Sequence, residues 1–573
     1  MKRLIILCLA LFEALVLCAA PVSEQRARKV ASDFFAGGEW QRLADAPDGC
    51  FVFNRKGGGF IIVSADDCAL PVLAYSRTGS FSLSGAPDNL LAWVGATTKV
   101  IRQRADASRN TDSRLKAVWE SPAALSRAGD GEHFLNTATW NQEAPFNFYT
   151  PYVDGEKSVT GCVALSMAII MRHYSWPKKG SGTLPSYKYK TVKGNDRTQA
   201  GHSLGHEYNW ADMPINHVPG DNVSAARLVY DCGIAVKSEY NEKATSAVSS
   251  DAPAVMAKYF GYARNALMEQ RSYYSTSAWM ARLLAEIDAG RPVLYAAFSE
   301  GEFGHAFVVD GYDDSSRLHV NWGWGGSCNG YFVIDCFFPY GDDKSKEWEY
   351  GYYYRHAAAF DLVPDKSGST SPKTLMCMKR TDNLEGMRLS SGTVVKGSPF
   401  MLDFGLCTNR GLYDYSGGAL RVGLVNKGGE LKEFVGNAEE IPLLEPNYGV
   451  RITDYRALIS STPALGDALR VFYLVDGQWL LMPYSLDDGT VGSLPAGPDT
   501  YFIKKEGRYY EGQTLTPSLI IGTRSYSSLD WYLDGKRFTG STSPLTRGMH
   551  SLKAVISYDD GTRETIVQEI EVP

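Results

Sequence analysis

The sequence has few cysteines for its length, no basic run, and only one long apolar stretch. Ten cysteines occur in 573 residues, and two of them lie in that stretch at the N-terminus. This density is too low for a disulfide-stabilised scaffold, although Cys50 with Cys68, or Cys377 with Cys407, can pair in an exported chain. The formal net charge is −6. We therefore expect no binding to nucleic acid or to an anionic membrane surface.

The apolar stretch has the layout of an export signal. Two basic residues precede residues 4–18, which are apolar apart from Glu13, and the small residues Ala19 and Ala20 follow. This order is typical of a signal peptide. We expect residues 1–20 to be removed from a secreted or exported protein, which is then extracellular, on the cell surface or periplasmic. No later apolar stretch is long enough to span a bilayer.

The rest of the chain has the composition of a globular protein, with 44% hydrophobic and 21% charged residues. An amphipathic helix over residues 23–35, short strands and a second helix predict a discrete α+β unit at the N-terminus. Beyond Pro364 short alternating strands replace helices, and Asp534-Gly535 predicts a hairpin turn. The expected divisions are an α+β segment over 21–104, a linker over 105–130, a mixed domain over 131–363, a β-rich domain over 364–497 and an immunoglobulin-like β domain over 498–573.

The linker expected over residues 105–130 is rich in Ser, Arg, Asp and Ala. This composition predicts an exposed segment that proteases cut easily. Arg114, Lys116 and Arg127 are its trypsin-like cleavage sites.

The strongest local signal is a cysteine at the start of an apolar helix. In VTGCVALSMAIIM, Gly161 and Cys162 stand where a loop enters the helix. The dipole and the free N–H groups at a helix N-terminus stabilise a thiolate, and the backbone N–H of Cys162 can donate toward an oxyanion. Cysteines are also common in buried structural positions, so this segment alone leaves both roles open.

A histidine follows a glycine-containing loop and opens a predicted strand. In GHAFVVDG, His305 comes directly after Gly304. A histidine at the mouth of a strand can reach a bound substrate. A Cys–His pair that is distant in sequence and joined in space is the layout of a papain-like enzyme. A surface histidine that caps the strand is the alternative.

Two further segments offer polar and aromatic groups that suit such a site. HVNWGWGG has two tryptophans among glycines, and Asn321 or Trp322 in it can orient a histidine and shield it. The segment WNQEAPFN contains Gln142, whose side-chain amide can be a second oxyanion donor. A tryptophan-rich turn packed on the core is the alternative for the first of these segments.

Together these segments resemble the streptopain family of papain-like cysteine peptidases. The matching stretches are WNQEAPFN, TGCVALSMAIIMRHYSWPKKG, EYNWADMP and GHAFVVDGYDDSSRLHVNWGWGG, and GGGFIIVSADDCALPVLAYSRTGSFS resembles the family's inhibitory propeptide. The resemblance covers roughly residues 22–340. It implies an α+β, papain-like cysteine peptidase domain that follows an α+β propeptide; the later strands add β-sandwich or immunoglobulin-like domains.

The resemblance also implies an activity. The protein is expected to be a secreted cysteine endopeptidase made as a zymogen, acting on protein or peptide substrates and inhibited by its own propeptide. No cofactor and no metal are implied. The family favours a hydrophobic residue two places before the scissile bond, so this chain is expected to do so too.

Residue roles follow from the same resemblance. Cys162 is implied as the nucleophile, His305 as the general base and later acid, and Gln142 as the oxyanion donor. Trp322, with Asn321, is implied to support the histidine, and Trp324 is implied to form a wall of the site. Gly304 is implied to present its backbone to the substrate. Ser246 or Ser249 is implied to form an edge of the cleft.

Three other interpretations stay open. His202 and His206 have metal-like spacing, but the segment reads as a loop with no obvious carboxylate partner, so a zinc enzyme is disfavoured. A Cys-His-Asp acyl transferase would orient His305 through Asp310 or Asp313. A catalytically silent adhesin would act through the C-terminal β domains instead.

Overall fold

A computed structural model divides the chain into two compact units, of which the first ends at Pro372 and the second begins at Lys373. The expected signal peptide lies outside the described residues except for Ala20, and Arg127 also lies outside them. The structure describes residues 20–572, except 108–112, 122–132, 217–219, 299–303, 335–355, 380–386, 484–492, 496–501, 504–508, 521–525, 559–562 and scattered single residues and pairs.

The N-terminal segment of unit 1 is built from helices and a small run of strands. The hydroxyl of Ser23 accepts a hydrogen bond from the backbone N–H of Arg26, which caps the first helix. Val30 and Phe34 lie on its buried face, as the amphipathic pattern predicts. The elements are α1 (Glu24–Phe34), β1 (Trp40–Arg42), β2 (Cys50–Arg55), β3 (Phe60–Ser64), β4 (Val72–Ser76), α2 (Asp88–Ala107) and α3 (Ser113–Glu120).

The segment expected to be an exposed linker is partly helical and partly buried. Helix α3 lies inside it, and Leu115 and Trp119 of α3 are each only 4% exposed. The indole Nε1 of Trp119 donates to the carbonyl oxygen of Ala69 at 2.8 Å. The expectation of an exposed linker is therefore wrong for α3, because its leucine and tryptophan pack into the core of the N-terminal segment.

The remainder of unit 1 mixes helices and strands. Helix α4 is apolar nearly all round, and its residues from Val163 to Met171 are buried. The elements are β5 (His133–Phe134), β6 (Tyr152–Val153), β7 (Glu156–Lys157), α4 (Cys162–Tyr174), β8 (Thr183–Leu184), β9 (Tyr187–Lys190), β10 (Asp196–Gln199), β11 (His202–Ser203), α5 (Val223–Ala235), α6 (Ala252–Phe260), β12 (Leu267–Gln270), α7 (Thr276–Asp288), β13 (Val293–Phe298), β14 (Gly304–Tyr312), β15 (Leu318–Asn321), β16 (Gly330–Phe332) and β17 (Ala357–Phe360).

One antiparallel sheet joins both parts of unit 1. Its main path runs β1-β2-β3-β4-β16-β15-β14-β13-β17-β12, and β5 adds to β14. At the junction Tyr75 of β4 pairs with Tyr331 of β16, and Ala74 pairs with Phe332. A Cβ on Gly330 would lie 2.4 Å from the carbonyl oxygen of Tyr75, so glycine permits this close approach. The N-terminal strands therefore extend the sheet of the remainder of unit 1.

The two faces of this sheet carry different cores. Helix α4 packs with Ala306 and Val308 of β14 on one face. Helices α2 and α7 pack with Phe307 and Val309 of the same strand on the other face. This alternation follows from the two-residue period of a strand. Both faces of β14 are therefore covered, one of them partly by the N-terminal segment.

Every regular element in the described part of unit 2 is a strand. Strands from separate sheets, among them β18, β20, β22 and β27, contribute buried residues to one shared core, which is the arrangement of a β-sandwich. The strands are β18 (Met376–Lys379), β19 (Arg388–Ser391), β20 (Pro399–Asp403), β21 (Leu406–Asn409), β22 (Tyr415–Val425), β23 (Leu431–Phe434), β24 (Glu439–Leu444), β25 (Gly449–Val450), β26 (Tyr455–Leu458), β27 (Ala468–Val475), β28 (Gln478–Leu481), β29 (Ser493–Pro495), β30 (Phe502–Ile503), β31 (Leu519–Ile520), β32 (Tyr526–Leu533), β33 (Lys536–Phe538), β34 (Gly548–Tyr558) and β35 (Arg563–Val572).

The last strands form a smaller sheet, in the order β33-β32-β34-β35, with its own core. The hairpin predicted at Asp534-Gly535 joins β32 to β33. Both turn residues have positive φ, 50° for Asp534 and 77° for Gly535, as a two-residue hairpin turn of type I′ requires. The prediction of this hairpin is confirmed.

Neither disulfide considered from the sequence is present. Cys50, Cys68, Cys377 and Cys407 are all free and buried. Cys377 pairs with Thr408 across two strands, while Cys407 pairs with Met378. Because neighbouring residues of a strand point to opposite faces, the thiols of Cys377 and Cys407 leave the sheet on different sides. Within the residues that the structure describes, no helix is both long and apolar enough to cross a membrane.

Candidate active site

Cys162 is the first residue of helix α4, and a glycine sets up its position. Gly161 caps the helix with φ 88° and ψ 142°, a conformation that residues with a Cβ rarely adopt. A Cβ on Gly161 would lie 2.9 Å from Cγ2 and 3.1 Å from the carbonyl oxygen of Thr245. The sequence thus has glycine where both the backbone and the available space demand it.

The Cys162 sulfur lies where several N–H groups can act on it. Cys162 as a residue is half-buried, and Ala306 of β14 donates its backbone N–H to the sulfur at 3.4 Å. Burial raises the pKa of the Cys162 thiol, while backbone N–H groups of Ala306, Cys162 and Val163 act to lower it. In the precursor the burial effect is the larger one, so the thiol form is favoured in this state.

His305 stands next to that contact along the chain. It is half-buried and pairs with Ala297 of β13, while the neighbouring Gly304 is exposed. The fold therefore brings the strand that opens with His305 against the start of helix α4. Phe307, two residues further along β14, packs on the face that carries helices α2 and α7.

The tryptophan loop after β15 covers that face. The ring of Trp322 is buried and lies 5.0 Å from the ring of Phe307. Trp324 is half-buried at the edge of the same core. A Cβ on Gly323 would lie 2.9 Å from Cδ2 of Leu165, so the loop also packs closely on helix α4.

Asn321 has partners other than the one expected. Its Nδ2 donates to the Thr137 hydroxyl at 3.0 Å and to the Ala138 carbonyl at 2.9 Å. Its Oδ1 accepts the backbone N–H of Gly323 at 3.2 Å. Because both amide hydrogens are used, Asn321 braces the entry segment and the loop in this structure. That Asn321 also helps to orient His305 stays a prediction.

The segment with Gln142 lies between the nucleophile loop and the tryptophan loop. Gln142 is buried, and its carbonyl accepts the backbone N–H of Thr160 at 3.0 Å. Two residues earlier, the carbonyl of Trp140 accepts the backbone N–H of Gly325 at 2.9 Å. The main chain of Gln142 is thus bonded to Thr160, which lies two residues before Cys162 in the sequence.

The segment with Ser246 and Ser249 also reaches this region, through a residue that sequence reasoning missed. Ser246 is exposed and its hydroxyl donates to the Glu239 carboxylate at 3.2 Å, while Ser249 begins a short 3₁₀ turn. Thr245, directly before them, is buried and packs on Gly161. No motif surrounds Thr245, so only the three-dimensional contact reveals it.

Comparison with known proteins identifies the family of the chain. The profile of the Peptidase C10 family matches residues 140–332, and that of the Spi protease inhibitor matches residues 19–101. Streptopain of Streptococcus pyogenes is 31% identical over 309 residues, which cover 50% of this chain and 74% of that protein. The chain belongs to the Peptidase C10 family. It is a family of cysteine peptidases, and here the peptidase region follows an inhibitor-type propeptide region.

Other relatives extend the comparison. Thiol protease/hemagglutinin PrtT of Porphyromonas gingivalis is 30% identical over 361 residues, covering 59% of this chain and 41% of that longer protein. Among solved structures, a prointerpain A fragment of Prevotella intermedia has 24% identity and a TM-score of 0.45, covering 59% of this chain and 100% of that one. Active interpain A of the same organism has 24% identity and a TM-score of 0.34, covering 42% and 98%.

The histidines with metal-like spacing have a different role in this C10 family member. His202 Nε2 and His206 Nε2 each lie 2.7 Å from a different oxygen of the buried Asp231, and Tyr208 donates to the same carboxylate at 2.7 Å. Burial acts to raise the pKa of Asp231, but these hydrogen bonds outweigh it and lower the pKa. The expected absence of a carboxylate partner was wrong. No group able to hold a metal ion occurs among the described residues.

The aspartates of the acyl-transferase interpretation also have other partners. Asp310 Oδ1 lies 2.5 Å from His319 Nδ1, and its Oδ2 accepts the Thr137 hydroxyl at 2.6 Å. Asp313 accepts the Tyr75 hydroxyl at 3.1 Å and lies 3.3 Å from the Arg317 guanidinium. Asp310 therefore serves the packing of the peptidase region, while Asp313 also joins that region to the N-terminal segment through Tyr75.

Proposed function

We propose that the chain is a cysteine endopeptidase made as a zymogen, with Cys162 as nucleophile and His305 as general base. The observation that carries this proposal is the hydrogen bond from the Ala306 N–H to the Cys162 sulfur. It brings the histidine-bearing strand to the N-terminus of the cysteine-bearing helix, as a Cys–His mechanism needs. Membership of the C10 family supports the same reaction.

The proposed reaction runs through an acyl-enzyme. His305 takes the thiol proton, and the Cys162 sulfur forms a bond to the scissile carbonyl carbon. The C–N bond then breaks while His305 returns the proton to the leaving amine. A water molecule, deprotonated by His305, hydrolyses the thioester and restores the thiol. The backbone N–H of Cys162 and the Gln142 amide are the proposed donors to the oxyanion in both halves.

The other residues of the site surround this centre. We assign support and shielding of His305 to Trp322, since it packs on Phe307 from the same strand. Trp324 is the proposed wall, and the exposed Gly304 presents backbone to the substrate. Ser246 or Ser249 forms the proposed far edge, next to Thr245. A hydrophobic residue two places before the scissile bond is the proposed preference.

The N-terminal segment is the proposed latency element. Trp93 of α2 packs edge-on against Phe332 at 5.0 Å, and Phe332 packs in the same way on Trp322 at 5.1 Å. The Trp93 Nε1 also donates to the Val333 carbonyl at 3.1 Å. These contacts link the segment to the proposed support of His305. They also add to the strand pairing of β4 with β16.

Maturation is proposed to cut the chain after helix α3. Lys116 is exposed, but it lies on a helix that packs on the N-terminal segment. Helix α3 therefore leaves with the propeptide, and the proposed cut falls in residues 121–130. We also propose that residues 1–20 direct export. The proposed domains of the mature part are a peptidase domain over 131–363 and β domains over 364–497 and 498–573. No observation favours a silent adhesin or an acyl transferase.

The test compares maturation of the wild-type precursor with that of Cys162→Ala. Wild type should shorten from the N-terminus and gain peptidase activity together, and a thiol-directed epoxide should block both. The variant should stay at full length until active enzyme is added in trans. A folded Cys162→Ala protein that shortens by itself, or that cleaves peptides, would exclude Cys162 as the nucleophile.

A further inference from the structure

Three consecutive residues lead into the nucleophile, and each is anchored separately. The backbone N–H of Val159 donates to the Asn241 carbonyl at 3.2 Å, and the N–H of Thr160 donates to the Gln142 carbonyl at 3.0 Å. Gly161 packs against Thr245, and its carbonyl accepts the backbone N–H of Leu165 at 3.1 Å. We call residues 159–161 the approach. Because they lead directly into helix α4, the groups that hold the approach determine the direction of the first N–H groups of the helix.

Thr245 contacts the approach at two points. Its hydroxyl donates to the Val159 carbonyl at 2.7 Å, and its methyl and main chain pack on Gly161. The same oxygen accepts the backbone N–H of Asn241 at 3.0 Å. The side chain is 6% exposed, so water does not readily replace these bonds. One residue thus ties the approach from Val159 to Gly161 to a neighbouring segment.

The segment that carries Thr245 is itself firmly held. The backbone N–H of Glu239 donates to the Ser246 carbonyl at 2.8 Å, and the N–H of Ser246 returns a bond at 3.3 Å. The Asn241 side chain accepts the backbone N–H of Val192 at 3.0 Å. A fixed hairpin behind Thr245 means that the threonine can set the position of the approach and is not merely carried along by it.

We propose that Thr245 is a positioning residue for the reaction: its hydroxyl fixes the Val159 carbonyl and thereby the direction in which Cys162 offers its N–H to the oxyanion. The inference deepens the proposed peptidase function and rests on it. Thr245 touches neither substrate nor sulfur in this account. A displaced oxyanion donor lowers turnover more than substrate binding, because the oxyanion exists only beyond the ground state.

The test uses the full chain after its maturation cut, with Thr245→Val as the main variant. Valine keeps the shape but removes the hydroxyl. The turnover number for a short peptide should fall about tenfold, because the variant loses both the bond to the Val159 carbonyl and the bond from the Asn241 N–H. The KM should change less than about twofold, because substrate binding forms no oxyanion. The alkylation rate of Cys162 by iodoacetamide should fall less than turnover does, because the N–H of Ala306 still contacts the sulfur.

Thr150→Val is the matched control. Thr150 is also buried, and its hydroxyl donates to backbone carbonyls of Asn147 and Ser158 at 2.9 and 2.7 Å. Its partner Ser158 directly precedes the approach, but the atoms nearest to a Cβ on Gly161 all belong to Thr245. Both variants should lose similar thermal stability, and only Thr245→Val should lose turnover. Equal turnover in the two variants would overturn the assignment and leave Thr245 a packing role.

Thr245→Ser tests the hydroxyl directly. Serine keeps the hydrogen bond to Val159 and loses only the methyl, so turnover should stay within about threefold of wild type. If Thr245→Val does not fold, this variant decides: retained turnover supports the proposal, and a tenfold loss overturns it. An inactive but correctly cut wild-type enzyme is a separate outcome, which would overturn the peptidase function and this inference together.

Discussion

Replacing Gly161 with alanine should damage the site far more than the size of the change suggests. Gly161 has φ 88° and ψ 142°, a region that costs a residue with a Cβ about 1–3 kcal/mol. The new Cβ would also lie 2.9 Å from Thr245 Cγ2 and 3.1 Å from the Thr245 carbonyl. Overpacking of a buried site adds roughly 1–3 kcal/mol, so the total loss of stability should be about 2–6 kcal/mol.

The effect on catalysis follows from the same overlap. If the first turn of α4 shifts by about 1 Å to relieve it, turnover should fall by about 10²-fold. Gly290→Ala is the control, since Gly290 has φ 74° and no atom within 4 Å of an added Cβ. Gly290 therefore shares the positive φ of Gly161, but a Cβ added at Gly290 would overlap with no neighbouring atom. It should lose about 1–2 kcal/mol and less than about twofold in turnover.

The assay measures urea midpoints and peptide turnover for both variants after the maturation cut. If Gly161→Ala matches Gly290→Ala in both quantities, the close packing of Thr245 on Gly161 does not constrain the nucleophile. A loss of stability with full turnover would contradict the link between the approach and the reacting groups.

Three further predictions concern other parts of the chain. Gln142→Ala should lower turnover by roughly 10²–10³ while Cys162 alkylation stays nearly unchanged; a loss below about threefold would place the oxyanion donor elsewhere. Trp93→Ala should remove about 3–5 kcal/mol of packing and hasten activation of the precursor, whereas Trp119→Ala, whose indole bonds to Ala69 within the N-terminal segment, should hasten it less. In unit 2, bonds to Asp534 and to the Thr546 carbonyl raise the pKa of His550. Its contribution to stability should therefore be complete below about pH 6.5 and be lost as the pH rises through the higher folded value; His550→Gln should abolish this dependence in thermal melts.

Local patterns in the sequence predicted the elements that carry the chemistry. The apolar run after Gly161 predicted a helix that begins at Cys162, and the run after Gly304 predicted the strand that is β14. Both predictions depend on the spacing of apolar residues and on the position of a glycine, and these signals extend over only a few residues of the chain. The Asp534-Gly535 turn was predictable for the same reason, since two positive φ angles favour that residue pair.

Contacts between distant segments were not predictable in this way. Asp231 lies 25 residues beyond His206 along the chain, and nothing local indicates that its carboxylate meets the histidines. The pairing of β4 with β16 could not be predicted either, because the sequence does not indicate which strand edges come together. Burial of Trp119 likewise needs the finished N-terminal core, so composition alone made its segment look exposed. Tertiary packing decided each of these outcomes.

The most direct test of the Cys162–His305 pair is the pH profile of Cys162 alkylation by iodoacetamide after the maturation cut. In the precursor, burial raises the pKa of the thiol, so alkylation should be slow near neutral pH. Once cut, the wild type should react well below pH 7, because an imidazolium partner stabilises the thiolate. His305→Ala should move the midpoint to the range of an ordinary thiol, about pH 8.5. The same profile in wild type and in His305→Ala would contradict the proposal that this histidine is the base of the reaction.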